Sequence, residues 1–275
     1  MALAGRAAYC EELAKAAAED ERVVCLEALS VEGRHPFEQS HPDRFFALHA
    51  AEAAMVQMAA GLATAGFRPF ATLVPPEPGA DTKENLRLTL DYLRAGATVL
   101  APYDHPPEDL TALRRQPGVT IAAPYGEAEM RAVVRAAVRS GRPHYIQTGR
   151  DTRYESPAWG AGELPLLNWV SAGEAGGACL ISVGEEGTRL ALRAQSMAPE
   201  LAHVRLVYLD DEHLADVTRQ LAEKHWEFTV IGDLGRGGVR QALGPLLPGC
   251  VVTGVRVEDG PAGVLAAVGV GRVGG

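Results

Sequence analysis

Short apolar runs of strand character alternate with longer segments of helical period along almost the whole chain, and this alternation leaves few folds open. Strands covered on both faces read as unbroken apolar runs, and the helices between them supply the cover. The expected class is α/β, with helices flanking mainly parallel sheets. An alanine-rich amphipathic helix is expected over residues 3–19, then a strand over 22–26. A helix carrying Glu52 stops near Gly66, which suits a left-handed cap, and 69–74 follows as a strand. Asp81-Thr82-Lys83-Glu84 has capping-box spacing for a helix ending near Gly96. Residues 98–101 and 119–123 read as strands around a short helix from Glu108. Residues 127–140 read as a helix closed by Gly141, and 144–148 as a strand.

The composition then changes. Residues 154–168 are rich in Pro, Gly and Trp and lack periodicity, which marks a connection. A second α/β series follows, with strands expected at 178–183, 204–208, 228–231 and 251–255 and helices at 188–197, 212–224 and 239–246. The expected organisation is a first domain over 1–152, a linker over 153–170 and a second domain over 171–275, each a mainly parallel sheet flanked by helices.

The whole-chain balance narrows the function classes. With 275 residues, 47% of them hydrophobic and 22% charged, the chain has a globular composition. A net charge of −9 argues against a nucleic-acid groove, because such proteins carry a basic face. No run reaches the roughly 20 apolar residues of a membrane span, and no basic-then-apolar leader opens the sequence, so a cytoplasmic setting is expected. Cys10, Cys25, Cys179 and Cys250 are far apart and are expected as free thiols.

One segment asks for a functional explanation. His41-Pro42-Asp43-Arg44-Phe45-Phe46 leads into Ala51-Glu52-Ala53-Ala54-Met55-Val56-Gln57-Met58-Ala59-Ala60-Gly61-Leu62-Ala63, an apolar helix with one carboxylate in its first turn. Burying a lone carboxylate costs several kcal/mol, roughly, unless it is neutralised or paired. The segment resembles the stretch that opens the pyrimidine-binding domain of transketolase-type, thiamine-diphosphate enzymes, with their PDRFF…AEQ-M…AAGLA pattern. Gly184-Glu185-Glu186-Gly187-Thr188 resembles the GSE-type turn of that family's C-terminal domain. Gly232-Asp233-Leu234-Gly235-Arg236-Gly237-Gly238 resembles a later glycine-rich turn, and Val257-Glu258-Asp259-Gly260-Pro261-Ala262-Gly263 resembles the closing segment. The resemblance covers nearly the whole chain.

The family also needs a diphosphate-binding domain whose GDG…N motif holds magnesium and the cofactor's phosphates, and nothing in this sequence resembles it. The resemblance therefore implies one component of a split enzyme. Two such chains would join two copies of a partner subunit carrying the diphosphate domain, sharing thiamine diphosphate while the partner holds Mg2+.

By the same resemblance Glu52 bonds N1′ of the aminopyrimidine and activates the cofactor, with a small-molecule ketose or 2-oxo acid giving up a two-carbon ketol or acyl unit. The plainer alternative for Glu52 is an exposed glutamate favoured by the helix dipole. Ala53 stands where the family has Gln. Phe70 is retained on the following strand, whereas Val74 occupies a position where an aromatic is expected against the pyrimidine ring. Asp104 and His105, in a connection shortened relative to the family, are candidates for substrate contact, and His105 for proton transfer. An Asp-His-Pro-Pro turn also starts helices for purely structural reasons. Arg150 matches a phosphate-binding arginine of the family or is a surface ion-pair residue. The other histidines show no H-x-x-x-H or H-E-x-x-H spacing, so no metal site is expected from this chain. The rival expectations are a degenerate, non-catalytic structural or regulatory subunit, a 2-oxo acid dehydrogenase β-type subunit, and a relative of deoxyxylulose phosphate synthase.

Overall fold

The computed structural model describes residues 5–28, 34–48, 51–73, 84–92, 96–102, 113–149, 164–174, 176–232 and 238–269. The apolar runs become strands, with helices between them. In the first unit, α1 (Gly5–Glu19) precedes β1 (Val23–Glu27), and the short α2 (Pro36–Ser40) leads through a 3-10 turn to β2 (Phe45–Ala47). Then come α3 (Glu52–Thr64), β3 (Arg68–Thr72), a π-helical stretch Arg87–Tyr92, β4 (Thr98–Pro102), β5 (Thr120–Ala122), α4 (Gly126–Ser140) and β6 (His144–Thr148).

The six strands form one sheet in the order β2-β1-β3-β4-β6-β5, and every neighbouring pair is parallel. Every residue of β1 and of β6 is buried, as expected for strands covered on both faces. α1 packs on α4, and Arg131 ties the pair together through Glu11, Glu12 and Glu127 at 2.7–3.2 Å. Gly141 ends α4 with φ 61°, a left-handed cap that favours glycine, and the Arg68 guanidinium lies against its open side.

The second unit comprises β7 (Asn168–Ser171), β8 (Ala178–Val183), α5 (Gly184–Met197), β9 (Ala202–Leu206), α6 (Asp211–Ala222), β10 (Glu227–Ile231), α7 (Val239–Leu246), β11 (Val251–Val255) and α8 (Gly260–Ala267). Its sheet runs β11-β10-β8-β9-β7, parallel except for β7, which pairs antiparallel with β9. Leu180, Leu190, Ala194, Ile231 and Val264 meet in its core. Gly187, in the first turn of α5, lies so close to the end of β10 that a Cβ would fall on the Ile231 carbonyl oxygen.

The fold is α/β with two mainly parallel sheets. Several boundaries differ from expectation. β7 starts inside the segment read as connection, α5 begins at Gly184 rather than at 188, and β9 starts at Ala202 rather than at 204. α2, β2 and α8 carry too few residues of clear period to stand out in the sequence. The helix expected from Glu108 falls largely outside the described residues.

Candidate active site

In an open parallel sheet, ligands bind beyond the carboxyl ends of the strands where the strand order reverses. In the first sheet the chain moves from β1 out to β2, then returns across β1 to β3, so the reversal lies at β1 and β3. Glu27 ends β1, in register with Ala47 at the end of β2 and Thr72 at the end of β3. Leu48 N–H donates to Glu27 O at 2.8 Å, and Ala51 N–H to Leu48 O at 3.1 Å. Those bonds carry the chain along this edge directly into the first turn of α3.

Glu52 is the first residue of α3 and is half-buried. It sits at the positive end of the helix dipole, in the first turn of α3. The rest of α3 is apolar on nearly every side. Met55, Val56, Ala59 and Ala60 are buried, while Ala54, Gln57 and Gly61 face outward. Asn85 fixes the helix by donating to Ala53 O at 3.3 Å and accepting from Gln57 Nε2 at 3.1 Å.

Phe70 sits in the middle of β3, 1% exposed, with its ring 6.4 Å from that of Tyr9. That packing turns it into the layer between sheet and α1. Val74, Asp104, His105 and Arg150 lie outside the described residues. Of the residues singled out by the sequence, the structure thus describes Glu52 at the carboxyl edge and Phe70 in the core.

Sequence reasoning missed Glu27. It is fully buried, and its two oxygens face different partners. Arg6 Nη2 donates to Oε2 at 3.1 Å, while His35 Nε2 lies 3.4 Å and Cys25 Sγ 4.0 Å from Oε1. Burial, with the Glu27 carboxylate adding to it, pushes the Cys10 thiol up to about 12 and the Cys25 thiol well above its ordinary range. Burial likewise raises the Tyr9 hydroxyl, with the Cys25 and Glu27 charges adding to it. The available signal was a glutamate closing the apolar run Val23-Val24-Cys25-Leu26. The sequence reading ended the strand one residue too early. Cys10, Cys25 and Cys179 are buried free thiols, and Cys250 is partly exposed.

The second unit holds polar groups of another kind. Ser182 Oγ lies 2.8 Å from His203 Nε2, Gln195 Oε1 lies 3.2 Å from His203 Nδ1, and Thr188 donates to Ser182 at 3.3 Å. Burial lowers the His203 imidazole to about 3, so it is neutral near pH 7. At the start of α6, Asp210 accepts from His213 N–H at 3.2 Å and lies 2.6 Å from its Nδ1. The His213 ring stacks on Tyr208 at 4.6 Å. Among the described residues no helix is long and apolar enough to cross a membrane.

No family model matches the chain. In sequence it is similar to 1-deoxy-D-xylulose-5-phosphate synthase of Aquifex aeolicus, 28% identical over 251 residues, covering 83% of this chain and 40% of that protein. The corresponding synthase of Nitratidesulfovibrio vulgaris is 30% identical over 212 residues, covering 73% of this chain and 33% of that one. The chain therefore spans two fifths or less of these two relatives. Among solved structures, a split gene transketolase described as an inactive beta4 tetramer superposes with TM-score 0.83 at 22% identity and covers 98% of both chains. Transketolase from Leishmania mexicana superposes with TM-score 0.70 at 17% identity, covering 98% of this chain and 44% of that one. In fold the chain matches the C-terminal region of transketolase, and in sequence it is similar to part of 1-deoxy-D-xylulose-5-phosphate synthases.

Proposed function

We propose that this chain is one subunit of a split, thiamine-diphosphate-dependent transketolase-like enzyme, active only with a partner that carries the diphosphate-binding domain. The observation that carries the reading is the end-to-end match to the β chain of a split gene transketolase, 98% of each, with Glu52 beginning α3 at the sheet's carboxyl edge. In this reading residues 1–152 form the pyrimidine-binding domain and 171–275 the C-terminal domain, joined by the connection over 153–170.

Glu52 fits one contact of the cofactor. It is the lone charge of an apolar helix, half-buried, and begins that helix just after the chain leaves the carboxyl end of β2. There it would hold or share a proton with N1′ of the aminopyrimidine. When bound, the cofactor would supply the nucleophilic carbon needed for transfer of a two-carbon ketol or acyl unit from a ketose or 2-oxo acid. Phe70 backs the cofactor-facing end of β3 from within the core rather than stacking on the ring, and Val74 is the residue assigned to the ring's face. Asp104, His105 and Arg150 are assigned to substrate, with His105 also moving a proton. Mg2+ and the phosphates fall to the partner.

The outward face of α3 supports assembly. From Ala53 to Thr64 it bears no charge, and a helix apolar on nearly every side belongs in an interface. In this reading two copies of the chain meet within a two-plus-two heterotetramer. The split gene neighbour, an inactive tetramer of β chains alone, is in keeping with a subunit that self-associates without its partner.

Affinity purification from the native host tests the assembly. A stoichiometric partner carrying a GDG…N diphosphate motif is expected; recovery of this chain alone, or with an unrelated protein, counts against the proposal. In the reconstituted complex Glu52→Ala should lower turnover by about 10²–10⁴-fold with assembly unchanged. Unchanged turnover removes the role assigned to Glu52.

A second reading, a non-catalytic partner subunit, draws on Ala53 and on the burial of Phe70. Equilibrium binding of thiamine diphosphate to the assembled complex separates the two, since a scaffold retains none at this interface.

A further inference from the structure

Cys25 and Glu27 stand two residues apart on β1, so both side chains leave the same face of the strand. α2 brings a third donor to them. His35 caps that helix, and its Nε2 points at Glu27 Oε1 from 3.4 Å. Cys25 Sγ lies 4.0 Å from the same oxygen, and the three donor atoms are all within 4.8 Å of one another. A tetrahedral ion with bonds of about 2.0 Å to N and O and 2.3 Å to S sets these donors about 3.3–3.5 Å apart, a separation that small side-chain rotations reach from here. One further observation points to a ligand. His35 Nε2, on a side chain only 8% exposed, makes no hydrogen bond, and its approach to Glu27 Oε1 stays long at 3.4 Å.

We propose that Cys25, Glu27 and His35 form a site for one divalent transition-metal ion of the zinc class, with a fourth position open to a small ligand. A thiolate and a carboxylate balance the charge of such an ion, and mixed sulfur, nitrogen and oxygen donors favour zinc-type ions over magnesium or calcium. Glu27 offers Oε1 to the site while Arg6 holds Oε2 at 3.1 Å, the kind of outer contact that orients a metal-bound carboxylate. The ion displaces the Cys25 thiol proton to solvent, overcoming the burial and the Glu27 charge that keep this thiol protonated without metal. The imidazole must also change tautomer. Its Nδ1 accepts the Phe37 N–H at 3.2 Å, so its proton sits on Nε2. With the ion on Nε2 that proton moves to Nδ1, and α2 gives up its cap. The spacing of the three residues matches no local metal motif, which is why the sequence led to the opposite expectation.

Titration of the reduced, metal-free full chain with Co2+ tests the site. One equivalent should bind with a thiolate-to-cobalt charge-transfer band, and Zn2+ should abolish that band by competition. Cys25→Ser should remove the band, and His35→Gln should weaken binding by about a hundredfold or more. Arg6→Gln should weaken it by about tenfold. Cys10→Ser, which changes a neighbouring buried thiol outside the trio, should leave the band in place. A wild-type chain that shows no band overturns the proposal without recourse to any variant. A band that survives Cys25→Ser, or that disappears with Cys250→Ser, assigns the metal to another thiol and overturns it equally.

Discussion

The two sheets share an architecture but handle buried polarity in opposite ways. At the carboxyl edge of the first sheet, the Glu27 carboxyl group is fully buried, with Arg6 on one oxygen and His35 and Cys25 beside the other. In the second sheet the polar groups sit between β8, β9 and α5 as a neutral chain, Thr188 to Ser182, then His203 and Gln195. A neutral chain needs only hydrogen bonds, and burial keeps it neutral by holding His203 down to about 3. A buried charge needs a counter-charge, and removing one member leaves the other unpaired in low dielectric. The first arrangement therefore concentrates electrostatic energy at an edge where a ligand can use it. The second serves packing.

The largest effect that tests this contrast is Glu27→Ala. With chelator present, it should lower unfolding stability by about 2–3 kcal/mol in denaturant titration, because the buried strand end loses packed atoms and the partly exposed Arg6 guanidinium loses its carboxylate, a loss that water screens. A loss below about 1 kcal/mol would mean that the network is loosely coupled, and the comparison between the sheets would fall. The second sheet should respond to acid instead. Unfolded histidine binds a proton near pH 6.5, whereas His203 in the fold does so only at about 3. Stability from this residue is therefore fully present above about pH 6.5 and declines as pH falls toward 3, by on the order of 1.4 kcal/mol per unit. His203→Gln should flatten that slope in a pH series of thermal melts; an unchanged slope assigns the acid response elsewhere.

Gly187→Ala should cost about 1–3 kcal/mol by forcing α5 away from the Ile231 carbonyl, measured by chemical denaturation. The smallest effect belongs to Asp210→Ala. Loss of the α6 cap should cost about 1 kcal/mol, read as a lowered melting temperature.

What the sequence made legible follows the same physics. β8, β11 and α7 have the expected bounds, because each is a run of strong period closed by turn residues. α4 begins at Gly126, one residue early, and stops where Gly141 supplies a left-handed cap. α8 was not legible, since Gly260-Pro261-Ala262-Gly263 reads as a turn; packing against α5 and β11 overrides that local signal. β7 was hidden for a related reason, being a short strand after a stretch rich in Pro and Gly. Glu52 could be singled out because a lone charge in an apolar helix breaks a pattern. Glu27 could not, because its meaning depends on Arg6 and His35, brought to it by α1 and α2 from opposite sides in sequence.

The antiparallel β7 has a consequence for how such genes are cut and joined. It opens the second unit and completes that unit's sheet against β9, while β6 pairs only within the first sheet. Among the described residues no strand is lent from one sheet to the other. A recombination point between β6 and β7 hands each descendant a hydrogen-bonded sheet whole. A cut at that joint would therefore leave the backbone ladder of each sheet intact among the described residues.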